Sequence, residues 1–126
     1  MRNSKTIAVV LASILQLICG TARGEACDAR WPQVQFARDN LQRVLTEADF
    51  SIAQDYAERT RREFKHLAVL SERCDCTGAQ TKFEAAAAKV HAALDSESRK
   101  DLREAIKQAQ PPFDEGMKQL RECSRR

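Results

Sequence analysis

Between Cys27 and Arg126, apolar and small side chains recur at steps of three and four, and no stretch alternates residue by residue. One such stripe is Ala53, Ala57, Thr60, Phe64, Leu67, Ser71 and Cys74. A second, with the same steps, is Leu102, Ile106, Ala109, Phe113, Gly116, Leu120 and Cys123. That period puts each set on a single helix face, as in the seam of an antiparallel helical bundle. Strong helix formers (Ala, Leu, Arg, Glu, Gln, Lys) dominate the segment, while β-branched residues are sparse.

The breaks in this pattern are few, and they predict four helices. Thr46–Asp49 offers a first turn, Asp75–Gly78 a second with Gly78 as the main breaker, and Asp95–Ser98 a third. The first helix is expected from Pro32, a residue suited to a first turn, to about Leu45. The second runs from about Phe50 to Arg73 and the third from Thr77 to about Leu94. Thr77 and Gln80 have the spacing of a capping box for the third. Ser96 or Ser98 caps a fourth helix that ends near Cys123. Pro111 and Pro112 lack amides and crowd the preceding turn, so they should bend or split that helix. The stripe continues in phase across them, which favours a kinked helix over a separate element.

A shift of 49 residues lays one half of this segment on the other without a gap. Val34 falls on Phe83, Ala37 on Ala86, Leu41 on Val90, Leu45 on Leu94 and Phe64 on Phe113. The cysteines obey the same shift, Cys27 falling on Cys76 and Cys74 on Cys123, so that Cys27 and Cys74 are separated by 47, as are Cys76 and Cys123. In an up-down-up-down bundle all four lie at one end. Joining 74 to 76 would close a very small ring. Joining 27 to 76 and 74 to 123 would need both diagonals of the bundle at once, although the closeness of Cys74 and Cys76 keeps this swap open. The pairs Cys27–Cys74 and Cys76–Cys123 join neighbouring helices and are expected. The fold class is therefore all-α, an antiparallel four-helix bundle made of two disulfide-closed hairpins, 27–74 and 76–123, in a single domain 27–126.

Residues before this domain have another character. Arg2 and Lys5 flank an apolar run, Thr6–Ile18, which leads into Gly20-Thr21-Ala22. These are the parts of a secretory signal peptide over residues 1–22, with cleavage after Ala22 or after Ala26. The run is too short for a stable membrane anchor, and bulky Ile18 before Cys19 disfavours lipidation. Export to a periplasmic or extracellular space, where disulfides persist, is the expectation. The whole chain carries a net charge of +3, but from Cys27 onward 18 basic side chains face 17 acidic ones, a net of +1. So balanced a domain lacks the basic footprint of a nucleic-acid binder. The cluster Arg59, Arg61, Arg62 and Lys65 is interleaved with Asp55, Glu58 and Glu63 at ion-pairing spacing. A solvated helix face is its first reading and an anion-binding patch the second.

No catalytic signature accompanies the helices. His66 and His91 lie in mid-helix with no nucleophile placed near either, and no isolated carboxylate pair stands in an apolar setting. Cys74 and Cys76 could hold a soft metal if reduced, but His91 lies about 20 Å along the helix from Cys76. No metal or cofactor is therefore expected. Large apolar residues off the stripes, Phe36, Ile52 and Val69, are the candidates for contact with a partner, Phe36 first. The run Ala85–Ala88 would let another helix approach closely, within the bundle or from outside. Together these features point to a non-catalytic protein-binding module: an inhibitor, adaptor or chaperone-like protein. A small-ligand or metal-binding bundle is the alternative, and an enzyme the third.

Overall fold

A computed structural model describes residues 26–126; the leader assigned to residues 1–22 and Cys19 lie outside the described residues. Within them the chain is all-α: α1 (Pro32–Thr46), α2 (Phe50–Arg73), α3 (Thr77–Ala93), α4 (Arg99–Lys107) and α5 (Gln110–Ser124). Helices α4 and α5 together form the fourth arm of an antiparallel four-helix bundle. Both bridges join neighbouring arms, Cys27 to Cys74 and Cys76 to Cys123. None of the described helices is long and apolar enough to cross a membrane.

The helix ends have local causes. Asp49 accepts a hydrogen bond from the Ile52 amide at 3.0 Å, and Ser98 one from Asp101 at 3.1 Å, so each caps the helix that follows. The α2–α3 turn differs from the sequence reading. Asp75 takes a left-handed φ of 59°, while the Cys76 amide donates to the Ser71 carbonyl and the Asp75 amide to that of Glu72. These two bonds satisfy carbonyls that the helix end would leave open. The chain re-enters a helix at once, with Cys76 as the N-cap and no side-chain cap. The Thr77–Gln80 capping box therefore does not form, and Gly78 lies inside α3 instead of breaking the chain.

The fourth arm is interrupted and not merely bent. Pro111 and Pro112 cannot donate to the carbonyls four residues before them. The Gln108 and Ala109 amides instead bond three residues back, to Ala105 and Ile106. Both residues keep right-handed helical angles. The apolar stripe thus stays in phase, with Ile106, Ala109 and Phe113 all buried.

The 49-residue correspondence reappears in the packing. Val34 and Phe83, Ala37 and Ala86, Leu41 and Val90, and Ala57 and Ile106 are buried pair by pair. Phe64 and its counterpart Phe113 stack on each other, ring centroids 5.0 Å apart. Contact between equivalent residues is what a two-fold relation between the hairpins would place at its axis. Where the halves differ, volume is exchanged. Gly116 stands where the first hairpin has Leu67, and Phe83 stands where it has Val34. A Cβ on Gly116 would meet Phe83 Cε1 at 2.6 Å. The small residue makes room for the large ring. Buried hydroxyls close on their own helix: Thr60 donates to the Tyr56 carbonyl at 2.8 Å and Ser71 to that of Leu67 at 2.7 Å.

The two interfaces that the two-fold would make equal are not equal. Helix α2 packs closely on α3, whereas α1 meets the fourth arm far more loosely. Ala87 and Ala88 face the first interface, while Arg38 and Asp39 occupy their places on α1. Small side chains permit close approach of two helix axes, and long charged ones hold them apart.

Glycine replacement tests this packing. Gly116→Ala should be less stable than Gly78→Ala by about 1–3 kcal/mol in urea unfolding. The new methyl would press on the fixed Phe83 ring in one case and, in the other, on the movable end of Gln119. Equal stability of the two variants would contradict the described fit at Phe83.

Candidate functional site

Two features that are far apart in the sequence meet in one groove between α2 and α3. Arg61 and Lys65 come from successive turns of α2; Glu84, Ala87, Ala88 and His91 come from one face of α3. Residues 61 and 91, and likewise 65 and 87, are equidistant along the chain from Cys76, so an antiparallel turn there puts them at the same level. The groove has a volume of about 280 Å³. Its floor is Ala87 and Ala88, which offer methyl groups and no hydrogen-bonding side chain. Arg61, Lys65 and His91 line the rim with one acid, Glu84. This is an apolar trough with basic side chains on its rim, one of which, Arg61, is paired with Glu58.

Arg61 is held in place. Its guanidinium donates through Nη2 to Glu58 Oε1, and through Nε to Oε2 at 3.0 Å. Arg62 reaches the same carboxylate from one turn on, at 3.4 Å. The Arg61 side chain is only 21% exposed, against 70% for Arg62. A two-point bond fixes a planar guanidinium more firmly than a single contact would. The expected Asp55–Arg59 pair is not formed among the described residues. Arg59 instead lies over the Tyr56 ring, at 5.5 Å, and Arg43 approaches that ring at 5.4 Å.

The two-fold supplies an internal comparison. The counterpart of the groove lies between α1 and α5, with a volume of about 300 Å³, lined by Leu41 and Phe113 and by four polar residues, Arg38, Asp39, Gln42 and Gln110. These four are the residues corresponding to Ala87, Ala88, His91 and Arg61. Arg38 crosses it to lie over Phe113, 6.0 Å from the ring centre. The same architecture therefore carries a mostly polar lining in one place and two alanines in the other.

The three apolar candidates are exposed, Phe36 by 54%, Ile52 by 44% and Val69 by 41%. The fold does not gather them. Ile52 and Val69 are seventeen residues apart on α2, which is about 25 Å of helix. None of the three lines the groove. Their counterparts in the second half are Ala85, Asp101 and Lys118, so the fold places no requirement for a large apolar side chain at these positions. Both histidines are exposed; His91 reaches the groove rim, a place that spacing from Cys76 could have revealed.

All four thiols stand at one end. The sulfurs of Cys27, Cys76 and Cys123 lie within 4.8 Å of one another, and Cys74 is bonded to the first of them. Cys76 is buried and Cys27 nearly so, while Cys74 and Cys123 are partly exposed. As bonded disulfides they are structural links with no free thiolate.

No family model, curated protein or solved structure matches the chain.

The Glu58–Arg61 pair has a pH signature. The hydrogen bond from Arg61 is the main reason that the Glu58 carboxyl is held below its ordinary value of 4.5. Its stabilising effect is thus full above that value and is lost as pH falls through the lowered one. The contribution should stay below about 1 kcal/mol for so accessible a pair. An NMR titration should show the Glu58 midpoint below 4.5 in the native chain and moving up in Arg61→Gln. An unchanged midpoint would mean that Arg61 is not anchored.

Proposed function

We propose that this protein is an exported, non-catalytic protein-binding module, of inhibitor, adaptor or chaperone-like type, that docks an acidic amphipathic helix in the α2–α3 groove. The observation that carries this reading is the juxtaposition of the Ala87–Ala88 floor with the Arg61, Lys65 and His91 rim. A docked helix presents apolar side chains at helical spacing and needs a trough of small residues to approach the floor. Carboxylates on the flanks of such a helix would meet the rim. Complementary charge of this kind speeds encounter and sets orientation more than it adds affinity. The counterpart groove marks the difference: with Arg38 and Asp39 in the places of the two alanines, its mostly polar lining gives an apolar helix face less to bury against.

Export is supported by two features. The disulfides fit an oxidising compartment, and residues 1–22 have the composition of a secretory leader. Periplasmic and extracellular locations both satisfy them. Rigidity suits the proposed role as well, since a surface held by two bridges is ordered before a partner arrives.

Nitrogen-15 NMR with a synthetic probe tests the docking site. The probe is a helical peptide with leucines at positions i, i+3, i+4 and i+7 and glutamates on its flanks. Amide shifts should centre on Arg61, Lys65, Ala87, Ala88 and His91, weaken with salt, and disappear in Ala88→Arg. The same peptide with lysines in place of glutamates should bind at least about tenfold more weakly. Shifts centred on Phe36, or equal binding of both peptides, would overturn the assignment of this groove.

A further inference from the structure

The sulfur end of the bundle carries a second possibility, independent of the groove. We propose that reduction of both bridges turns the four cysteines into a tetrathiolate site for a soft divalent ion of the zinc type. Three sulfurs already lie within 4.8 Å of one another, and the fourth is one bond away from that group. A tetrahedral zinc centre with Zn–S bonds of about 2.3 Å sets its sulfurs about 3.8 Å apart. The two bonded pairs therefore need to separate by only about 2 Å, and side-chain rotation provides it, because the Cα atoms are already 5.2 and 6.0 Å apart. The Asp75 turn holds Cys74 and Cys76 side by side through backbone bonds that do not depend on either bridge.

Charge favours the same centre. Four thiolates and a divalent ion sum to −2. Beside Cys27 a groove of about 550 Å³ is lined by Arg30, Arg121 and Arg125, with Asp28 as its acid. Arg30 is bonded to Asp28 at 3.2 Å, so Arg121 and Arg125 are the guanidinium groups that would offset part of the negative charge and lower the cost of ionising the thiols. The burial of Cys76 limits access of water to the ion. Histidine is not required, which removes the distance objection that the sequence raises against a mixed Cys/His site.

The chemistry balances with two equivalents of a dithiol reductant. Each exchanges its two thiols for one protein disulfide, leaving an oxidised reductant and two protein thiols. Binding of one ion then releases four protons as the four Zn–S bonds form. Exchange with two equivalents of a disulfide oxidant reverses the sequence: each is reduced to a dithiol as one protein bridge closes, taking up two of the protons released before, and the ion leaves. The reduced chain exists at least at synthesis, before its bridges form, so the site would be available to an ion at that stage.

Cobalt(II) is the probe for the full mature chain, reduced by a phosphine under argon. One ion per chain should bind, giving thiolate-to-cobalt charge transfer and the visible bands of a tetrahedral centre. Zinc should displace it, and far-ultraviolet circular dichroism should remain helical. Cys74→Ser and Cys123→Ser should each abolish the tetrathiolate spectrum. Absence of uptake overturns the proposal, whether the reduced chain stays helical or unfolds. So does a spectrum that persists unchanged in the serine variants or in strong urea, where an unfolded chain would be chelating the ion without a site.

Discussion

The arrangement depends on one constraint, the meeting of two disulfides at the Cys74-Asp75-Cys76 turn. Each bridge closes a hairpin whose ends are 47 residues apart. In the chain-entropy picture such a link stabilises the fold by about 4 kcal/mol, a figure that native strain or residual structure in the unfolded chain can reduce. The core explains why such links matter. Ala37, Ala53, Ala57, Ala79, Ala86 and Ala109 are fully buried, and each removes far less apolar surface from water than a leucine would. Three phenylalanines, Phe64, Phe83 and Phe113, make up part of the deficit, with Phe113 packed against both of the others. The bridges fix the open end, and the rings fill the middle.

The near-repeat gives the groove its meaning. Two hairpins built to one pattern would present two similar clefts, and substitution has made them different. On one side Ala87 and Ala88 line an apolar trough; on the other Arg38 and Asp39 take their places in a cleft of similar volume and mostly polar lining. Close packing of α2 on α3 and looser packing of α1 on the fourth arm follow from the same side chains. A single local choice of residue size thus sets both the asymmetry of the bundle and the place where a partner helix is proposed to bind.

Much of the fold was legible because helical spacing, caps and cysteine register agree with each other. The span of α2 and the cap at Ser98 follow from local chemistry, and the pairing of the cysteines from the geometry of neighbouring arms. The turn at Asp75 was harder to read. A left-handed residue there is usually glycine, so Gly78 drew attention that belonged to Asp75. The interruption at Gln108 and Ala109 was foreshadowed by the prolines, but the phase of the stripe concealed it, since both residues keep helical angles. The groove was legible only in pieces. Arg61 and Lys65 looked like part of a solvated face, and the alanine run like a packing device. Their adjacency is a tertiary fact, set by the direction in which α3 leaves the Cys76 turn.

Disulfide mapping of the oxidised mature protein bears most directly on that constraint. Cleavage after basic residues leaves Cys74 and Cys76 in one peptide, so the digestion must also cut on the amino side of Asp75. Under denaturing, non-reducing conditions, mass spectrometry should then find Cys27 linked to Cys74 and Cys76 linked to Cys123, with no free thiol among them. Recovery of Cys27 with Cys76 and Cys74 with Cys123 would contradict two independently closed hairpins.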